Sequence, residues 1–360
     1  MDALRPGATI GILGGGQLGR MLAMAAARFS YRTIIFDPDA AAPAAQLASA
    51  HICAGYDDQS ALDRLAEACD VVTYEFENVP VETVRHLAGK VPVRPGARAL
   101  ETAQHRILEK EMARRLGAET AAFAPVQNRA DLDAAIASLG LPAILKTTRF
   151  GYDGKGQARL TSREDAAAAL EAMAGGPAIL ESFVPFDREV SLIAARGIDG
   201  TVTAFDLVEN EHRNHILHRS TVPASIDAAA RQEATRIAAA ILADLDYVGV
   251  LAVEFFAVPA ETGHRLLVNE IAPRVHNSGH WTEAACVVSQ FEQHIRAIAG
   301  LPLQPALRHS DCVMQNLIGE EVDRLPELAD DPAIFLHLYG KKDARPGRKM
   351  GHFTRLVGKS

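Results

Sequence analysis

Two acidic side chains are predicted to face each other across a β-hairpin. The segment GVLAVEFFAVPAETGHRLLVNEIAP places strand-like runs on either side of the turn-forming PAETG. A fold centred near Thr262 sets Glu254 opposite Glu270. The same register pairs apolar residues with each other, Phe256 with Val268 and Val258 with Leu266. Because like charges placed directly opposite repel, a positive group is expected between the two carboxylates.

A divalent cation is the simplest positive group for this position. Magnesium prefers oxygen ligands and is commonly held by one or two carboxylates together with substrate phosphates. Asn269 can add a carbonyl oxygen if the strand end turns it inward. The pattern therefore predicts a magnesium or manganese site made by Glu254, Asn269 and Glu270. In the alternative interpretation, one glutamate is exposed or paired with an arginine.

The turn that follows the hairpin gathers polar side chains for which the fold itself has little need. In NEIAPRVHNSGH these are Arg274, His276, Asn277, Ser278 and His280. Together with the carboxylate pair, they indicate a functional site at this end of the hairpin. A structural histidine is the alternative role for His276, and more so for His280.

A glycine-rich loop further upstream has the features of a phosphate-binding lid. In ILKTTRFGYDGKGQ, Lys146 ends a strand, and the loop from Gly151 to Gln157 carries Lys155. Such a loop can close over phosphates with its backbone amides while the strand lysine neutralises charge. It lacks the order of a Walker loop, and a plain hairpin turn is the alternative.

The apolar strand AILESFV ends in residues that suit a nucleoside. Its last residues are Glu181, Ser182, Phe183 and Val184, and Glu189 follows them. Backbone N–H and C=O groups at such a strand end can pair with adenine, and a nearby carboxylate can hold ribose hydroxyl groups. An ordinary strand end with a surface glutamate is the alternative.

The N-terminal glycine turn is consistent with more than one ligand. Gly14, Gly16 and Gly19 form a GxGxxG pattern after a strand, and Asp37 closes the second strand, as in dinucleotide-binding proteins. The physical basis is general, because such a turn brings backbone N–H groups at a helix N-terminus close to any phosphate. A nicotinamide dinucleotide, another phosphate ligand and a purely structural turn all remain open. Nothing downstream resembles a hydride-transfer site.

The elements around these motifs predict an α/β and α+β protein. The first hundred residues alternate β-branched runs with helical ones, which is typical of a small parallel sheet. The helical connector RALETAQHRILEKEMARRLG and a region of strands and helices follow. Long strands then dominate, interrupted by an Ala-rich helix near 228–245 and followed by a helix in TEAACVVSQFEQHIRAIAG. The Pro-rich LPLQPAL indicates a linker to a small C-terminal β unit.

Composition and length limit the functional classes. With 360 residues, 48% of them hydrophobic and 23% charged, the chain is expected to fold into more than one domain. A formal charge of −8 argues against a general nucleic-acid binder. No signal peptide and no apolar run of membrane-spanning length are evident, so we expect a cytoplasmic protein without membrane partners. Reduced thiols are expected because the cysteines are far apart and form no CxxC pair: Cys53, Cys69, Cys286 and Cys312.

The order of these motifs resembles that of ATP-grasp enzymes, which clamp ATP between two α+β subdomains. A lysine strand, a glycine loop, a Glu-x-x-Val strand end and two acidic strands follow one another over roughly residues 100–300. Further segments are similar to the 5-(carboxyamino)imidazole ribonucleotide synthase family of purine biosynthesis: GGGQLGRM, TYEFENVP, FGYDGKGQ, NEIAPRVHNSGHWT and YGKKDARPGRKMGH. The resemblance implies an N-terminal Rossmann-like substrate-binding domain (1–100), an ATP-grasp domain (101–300, with a lid at about 120–184) and a C-terminal β domain (301–360).

The resemblance also implies site residues, position by position. The ATP positions are Arg106, Lys146, Gly151, Tyr152, Asp153, Gly154, Lys155, Gly156, Gln157, Glu181, Ser182, Phe183, Val184, Glu189, His212, Asn269 and Glu270. The metal positions are Glu254, Asn269 and Glu270, and the ribonucleotide positions are Gln17, Leu18 and Glu75. The basic cluster, expected to bind the 5′-phosphate, is Lys341, Arg345, Arg348 and Lys349. Ser182 is shorter than the polar side chain expected at its position, and a solvated basic tail is the alternative for the cluster.

The implied reaction is ATP-dependent carboxylation of 5-aminoimidazole ribonucleotide with bicarbonate, through carboxyphosphate, by a homodimeric ligase. The catalytic positions are Arg274, His276, Asn277, Ser278, Tyr152 and Asp153. Arg274 suits the bicarbonate or carboxyphosphate anion, and His276 suits a proton transfer. The two residues after His276 can orient substrate through neutral hydrogen bonds, and the two lid residues can close against it.

Other functions share parts of this pattern. A formate-dependent glycinamide ribonucleotide transformylase shares the ATP clamp and the basic cluster, but HNSGHW and RPGRKMGH favour the carboxylating enzyme. The short chain disfavours a biotin carboxylase. An NAD-dependent dehydrogenase is supported only by the glycine pattern and Asp37. The intact pair Glu254 and Glu270 argues against a non-catalytic nucleotide-binding regulator.

Overall fold

The structure is a computed structural model that describes residues 3–149, 151 and 156–359. Four predicted lid residues, Tyr152, Asp153, Gly154 and Lys155, therefore lie outside the described residues. The described chain forms three sheets with helices packed against them. None of its helices has the length and apolar character needed to cross a bilayer.

The N-terminal region is a four-stranded parallel sheet with helices, as the alternation of β-branched and helical runs predicts. Its elements are β1 (Thr9–Leu13), α1 (Gln17–Ala27), β2 (Arg32–Phe36), β3 (Ala50–Ile52), α2 (Gln59–Ala68), β4 (Val71–Tyr74) and α3 (Val81–Ala88). The strand order is β3–β2–β1–β4. Every side chain of β1 and β4 is buried, which explains their continuous apolar runs.

The predicted connector is helical but is broken into α4 (Ala97–Ala103) and α5 (Arg106–Arg115). His105 has an extended backbone between the two helices. The side chain of Gln104 donates to the backbone carbonyls of Glu77 and Val79, at 2.9 and 2.7 Å. These bonds hold the break against the N-terminal region and set the direction in which α5 leaves it.

The lid is an antiparallel sheet with two helices, and the glycine-rich loop connects two of its strands. Its elements follow a short strand, β5 (Glu119–Thr120), and are β6 (Phe123–Val126), α6 (Arg129–Leu139), β7 (Ala143–Thr147), β8 (Gln157–Leu160), α7 (Ala166–Ala172) and β9 (Ala178–Ser182). The strand order is β6–β9–β7–β8. Leu132 and Ile136 of α6 pack with Leu145, Leu160 and Leu180 in a separate core, which lets the lid sheet fold around its own apolar centre.

A ten-stranded sheet forms the centre of the molecule. Its elements and helices are β10 (Arg188–Arg196), β11 (Val202–Ala204), β12 (Val208–Arg213), β13 (Ile216–Val222), α8 (Ala228–Asp244), β14 (Gly249–Pro259), β15 (His264–Ala272), α9 (Thr282–Ala285), α10 (Gln290–Ala299), β16 (Asp311–Ile318), α11 (Leu325–Ala329), β17 (Ile334–Leu338) and β18 (Lys349–Val357). The order is β17–β18–β16–β13–β12–β10–β14–β15–β5, with β11 paired to β10. The C-terminal strands thus extend the central sheet through the pairing of β16 with β13.

The single helix predicted in TEAACVVSQFEQHIRAIAG is wrong, because the structure has α9 and α10 with a non-helical segment between them. Cys286 forms a β-bridge with Arg308, and Ser289 caps α10 by accepting from the backbone N–H of Glu292. The β-branched Val287 and Val288 stand between them. Stiff β-branched side chains followed by a cap residue favour a helix start over a helix interior.

The predicted hairpin exists, and a β-bulge next to Glu254 shifts the register of all pairs between it and the turn. Glu254 is paired with Glu270 as predicted, but the ladder shifts between Glu254 and Phe255. The predicted apolar pairs are therefore wrong by one residue: Phe255 pairs with Val268 and Val258 with Arg265. Asn269 is the extra residue on β15. A bulge bends a strand and re-aims a side chain, and here it is the side chain next to Glu270.

Candidate active site

A cleft of about 730 Å³ is lined by residues of the lid, of α5 and of the central hairpin. The predicted ATP and metal residues that line it are Arg106, Lys146, Gly151, Gln157, Glu181, Ser182, Phe183, Val184, Glu189, His212, Glu254, Asn269 and Glu270. The predicted catalytic residues Arg274, His276 and Asn277 also line it, as does Lys349 from the C-terminal strands. Elements far apart in the sequence therefore bring most of the predicted residues into one cavity.

The two opposed carboxylates are each bound by a different basic side chain. His276 Nε2 lies 3.0 Å from Glu254 Oε1, and an Arg106 guanidinium nitrogen lies 3.2 Å from Glu270 Oε2. Burial alone would raise the pKa of Glu254, but the hydrogen bond from His276 outweighs this effect and brings the pKa down to about 2. Glu254 is therefore ionised at neutral pH and can act as an anionic ligand.

Asn269 supplies an oxygen that fits a cation. Its side-chain Oδ1 is buried and has no hydrogen-bond partner in the described protein. A buried carbonyl oxygen without a partner is unfavourable, and together with two carboxylates it forms the hard-oxygen set that suits magnesium. No group of three or more His, Cys, Asp and Glu side chains in the described chain is arranged to hold a metal ion. An ion at this position would therefore need phosphate or water oxygens as further ligands.

Glu181 is a counter-ion for two lysines. Lys146 Nζ donates to its Oε2 at 2.8 Å, and Lys110 Nζ lies 3.2 Å from its Oε1. Burial would raise the pKa of Glu181, but the charges of Lys146 and Lys110 bring it down to about 2. Both oxygens of Glu181 thus face lysines, whereas a second carboxylate, Glu189, lines the same cleft. His212 Nδ1 lies 2.8 Å from Glu189; burial lowers the pKa of His212, but the bond to Glu189 outweighs this and raises it.

The strand end predicted for adenine has part of its backbone already in use. The N–H groups of Ser182 and Phe183 donate to the carbonyls of Ala122 and Pro142, at 2.8 and 3.2 Å. Phe183 is exposed along the cleft. Pairing with adenine would therefore fall to other backbone groups of this segment, such as the N–H of Val184.

His276 is oriented by a hydrogen-bonded chain of buried side chains. The backbone N–H of Ser278 donates to His276 Nδ1 at 3.3 Å, and the Ser278 hydroxyl lies 2.9 Å from the same nitrogen. Because an N–H can only donate, Nδ1 accepts, and Nε2 carries the hydrogen that faces Glu254. Ser191 donates to Ser278 at 2.7 Å and accepts from Asn210 at 2.8 Å.

The other polar residues of the turn are buried to different degrees. Asn277 exchanges two hydrogen bonds of 2.9 Å with Asn316 of β16 while it lines the cleft. Ser278 is fully buried and is not among the residues that line the cleft, so the predicted contact of its hydroxyl with substrate is not supported. His280 is also buried, accepts from the Gln290 side chain and packs on His352, which fits the structural alternative.

Three charged residues of the cleft region were missed by sequence reasoning. Arg274 donates to Glu77 at 2.5 Å, and Glu77 lines the cleft. Glu109 lines the cleft as well, and Lys110 contacts Glu181. Their positions three and four residues after Arg106 place Glu109 and Lys110 on the same side of a helix as Arg106, and this spacing was the available signal.

The N-terminal glycine turn binds carboxylates of the protein itself. The N–H of Gly15 donates to Asp37 at 2.7 Å, and the N–H of Gly16 donates to Glu75 at 2.6 Å. A Cβ at Gly14 would lie 2.9 Å from the Glu75 side chain, so this glycine gives Glu75 room to approach. The amides and Asp37 are thus used within the protein, which disfavours a dinucleotide at the turn.

The predicted ribonucleotide residues lie around Glu75. Gln17 begins α1 at the glycine turn, and Leu18 is buried beside it. Burial raises the pKa of Glu75 to about 7, although the Gly16 amide and the charge of Arg274 lower it. These residues do not line the cleft, but Glu77, two residues after Glu75, lines it and pairs with Arg274, so the two regions adjoin.

Within the basic cluster, Lys341 lies next to Lys349, whereas Arg345 points to a different partner. Lys341 Nζ donates to the backbone carbonyl of Lys349 at 2.7 Å. Burial, followed by the charges of Arg348 and Lys349, lowers the pKa of Lys341 to about 8. Arg345 is instead exposed and paired with Asp343, at 3.2 Å.

Comparison with known protein families agrees with this architecture. Profiles described as a ribonucleotide synthetase preATP-grasp domain, an ATP-grasp domain and a phosphoribosylaminoimidazole carboxylase C-terminal domain match residues 7–104, 111–291 and 312–359. The chain is thus an ATP-grasp protein, and the α/β and α+β fold with an N-terminal parallel sheet is confirmed.

Individual relatives narrow the class to one family. An N5-carboxyaminoimidazole ribonucleotide synthase of Brucella melitensis is 56% identical over 98% of each chain. A crystal structure of N5-carboxyaminoimidazole synthetase from Staphylococcus aureus complexed with ADP is 40% identical, covers 99% of this chain and 95% of that chain, and has a TM-score of 0.94. The Aspergillus clavatus enzyme in complex with ADP and 5-aminoimidazole ribonucleotide is 32% identical, covers 98% and 95%, and has a TM-score of 0.91. The chain belongs to the N5-carboxyaminoimidazole ribonucleotide synthase family.

Proposed function

We propose that this chain catalyses ATP-dependent carboxylation of 5-aminoimidazole ribonucleotide with bicarbonate. The products are 5-(carboxyamino)imidazole ribonucleotide, ADP and phosphate. The observation that carries the proposal is the convergence of Glu254, Asn269 and Glu270 with Lys146 and Arg274 in one cleft. The ligands named for the Aspergillus relative, ADP and 5-aminoimidazole ribonucleotide, support the choice of substrates.

ATP is proposed to lie between the lid and the hairpin. Val184 would pair with adenine through its backbone N–H, and Glu189 would accept from ribose hydroxyl groups. Lys146, at the base of the glycine loop, would offset phosphate charge. Magnesium, or manganese in its place, would be held by Glu254, Asn269 and Glu270, and when bound it supplies positive charge to the ATP phosphates.

The proposed chemistry has two steps, and both need a dry, cationic site. A bicarbonate oxygen attacks the γ-phosphorus of ATP and the bond to the ADP oxygen breaks, which gives carboxyphosphate. The exocyclic amine of the ribonucleotide then attacks the carboxyl carbon, phosphate leaves and the amine loses a proton. Arg274, oriented by Glu77, would hold the anion, and His276 is the proposed acceptor of the proton. Closure of the lid, with Tyr152 and Asp153 in the proposed role of substrate contacts, would exclude water from carboxyphosphate.

The ribonucleotide is proposed to bind between the N-terminal region and the basic cluster. Glu75 would contact the aminoimidazole or ribose end beside Gln17 and Leu18. Lys341 with Lys349, Arg348 and Arg345 would bind the 5′-phosphate, since guanidinium groups bind phosphate oxygens in pairs. Gln46 of the N-terminal region donates to the backbone carbonyl of Gly340, next to Lys341, at 3.1 Å, which fits one substrate reaching both regions.

One assay compares the candidate reactions directly. ADP release is measured with 5-aminoimidazole ribonucleotide plus bicarbonate, and in parallel with glycinamide ribonucleotide plus formate. We expect release with the first pair. Release with the second pair alone would assign the chain to the transformylase reaction, and reduction of NAD by a hydroxy acid would support a dehydrogenase.

A cytoplasmic location and a homodimeric state complete the proposal, and the homodimer rests on the family resemblance alone. Sedimentation equilibrium checks the oligomeric state, for which we expect the mass of two chains. The mass of one chain at working concentrations would contradict it.

A further inference from the structure

Beside the proposed metal residues, the edge of β15 has no neighbouring strand among the described residues. Strand β5 pairs with β15 at Leu267 and Val268, and no further pairs are formed in the described chain. Beyond this point α5 lies along the edge. The bulge at Asn269 thus falls where a neighbouring strand no longer holds the backbone, and unpaired backbone groups at a buried edge need other partners.

Two consecutive residues of α5 provide those partners. Lys110 Nζ donates to the backbone carbonyl of Asn269 at 3.2 Å, and the Glu109 carboxylate accepts from the backbone N–H of Ile271. These bonds lie on either side of Glu270, whose side chain is bound by Arg106 of the same helix. One face of α5 therefore contacts three successive residues of β15.

The same lysine connects this segment to the lid. Lys110 lies 3.2 Å from Glu181 of β9, and both side chains are almost fully buried, at 1% and 3% exposure. A buried ammonium group is unfavourable unless it is paired and hydrogen-bonded. Lys110 meets this condition by bonding the lid and the hairpin at once, so its position depends on both.

We propose that Glu109 and Lys110 are positioning residues, which hold the bulged backbone of 269–271 so that Asn269 and Glu270 face the nucleotide phosphates. Lys110 also ties this segment to the lid strand that carries Glu181. The inference rests on the proposed metal site. It states that α5, which contributes no metal ligand itself, holds the backbone that carries two of the ligands. Residues that hydrogen-bond to metal ligands without binding the metal themselves fix the orientation of those ligands. Their substitution changes metal affinity about 10–100-fold.

The proposal is tested by measuring how tightly the protein binds Mn²⁺ in the presence of ADP. The concentration of free Mn²⁺ is read from its electron paramagnetic resonance signal. We expect Lys110→Met and Glu109→Leu to weaken Mn²⁺ binding roughly tenfold or more. Glu109→Gln keeps an oxygen that can accept from Ile271 and should bind Mn²⁺ nearly as the wild type does. The matched control is Arg115→Met, which removes an exposed cation of α5 that pairs with Asp244.

The outcomes separate this inference from the proposed function. Unchanged Mn²⁺ binding in Lys110→Met and Glu109→Leu, with normal binding in the wild type, would overturn the positioning role alone. A wild-type protein that binds no Mn²⁺ with ADP would overturn the metal site and the inference with it. A further measurement uses only the wild-type protein, so it does not depend on whether a variant folds. The backbone amide of Ile271 is expected to exchange its hydrogen slowly. Exchange as fast as in an unbonded amide would refute the bond to Glu109.

Discussion

Glu254 and Glu75 are glutamates of adjoining regions whose pKa values are shifted in opposite directions. For Glu254, His276 outweighs the effect of burial and the pKa falls to about 2, whereas burial dominates for Glu75 and raises its pKa to about 7. The first group is thus ionised at neutral pH, whereas the second changes its protonation state near neutral pH. Local partners, and not residue type, separate the two pKa values.

At the residue scale, Glu270→Gln is predicted to abolish turnover that depends on magnesium while the fold stays intact. An amide keeps the shape of the side chain but removes the charge that a cation requires. The measurement is ADP release at increasing Mg²⁺ concentration, with a thermal unfolding curve for each protein. Glu261→Gln, in the exposed turn of the same hairpin, is the control. Wild-type activity of Glu270→Gln would refute its role as a metal ligand.

A second prediction at this scale concerns pH. The pKa of Lys341 is lowered to about 8, so its charge is lost as pH rises through that value. If Lys341 binds the 5′-phosphate, kcat/KM for the ribonucleotide should fall above about pH 8, since kcat/KM reports the free enzyme. Lys341→Arg keeps its charge and should move the decline to higher pH. Superimposable profiles of the two proteins would argue against this contact.

Among the residues, the sequence predicted those with a chemical signature and missed those that support them. Glu254 and Glu270 could be paired from a turn and an alternating pattern. Glu109 and Lys110 share the helical spacing of Arg106, but the sequence alone does not show that this side of the polar helix is buried. Their burial arises only when the helix packs against β15 and the lid.

At the element scale, the bulge at Asn269 marks the limit of reasoning from periodicity. Alternation fixed the predicted pair Glu254 and Glu270, yet it also predicted a regular ladder with Phe256 opposite Val268. A bulge depends on partners for the backbone groups it releases, and here these come from α5. Nothing in the hairpin sequence itself signals them.

The lid loop gives a prediction at the same scale. Gly156 has a φ of +69°, and a Cβ there would lie 2.7 Å from the Thr147 hydroxyl, next to Lys146. Gly156→Ala should therefore raise the KM for ATP several-fold. Gly140→Ala is the matched control: its φ is +78° in the same lid, but a Cβ would meet nothing within 4 Å.

Both substitutions place alanine at a positive φ, which is strained for L-residues and costs about 1–3 kcal/mol, so both should lower the thermal midpoint. Steady-state kinetics with varied ATP separates the two effects. Equal KM values for ATP in Gly156→Ala and Gly140→Ala would show that the contact with Thr147 has no bearing on nucleotide binding.

At the scale of the whole molecule, the C-terminal region is part of the central sheet. Strand β16 pairs with β13, for example Met314 with Ser220, and Asn316 holds Asn277 of the cleft. The sequence predicted a small C-terminal β unit and a linker before it. It could not predict this pairing, because local periodicity carries no information on which distant strand becomes the neighbour.

This continuity predicts that a chain ending at Gly300 will not form a stable core. Loss of the C-terminal strands would expose the edge of β13 and remove Asn316, the hydrogen-bond partner of the Asn277 amide. Long exposed strand edges promote aggregation. Size-exclusion chromatography and thermal unfolding of the truncated chain test this. A monodisperse truncated protein with a cooperative transition would show instead that the C-terminal strands are dispensable for folding.

The order of motifs was sufficient to predict the ATP-grasp fold, since each motif occupies a fixed place in that fold. The proposed metal site depends on the pairing of β14 with β15, on the bulge at Asn269 and on the bonds from α5.

The sharpest test of this site is a crystal structure with ADP and Mn²⁺ in which the ion is located by its anomalous scattering. We predict one manganese ion bound jointly by Glu254, Glu270 and the nucleotide phosphates. An ion held by the phosphates alone, with Glu254 still bonded to His276 and Glu270 still bonded to Arg106, would show that the two glutamates are not metal ligands.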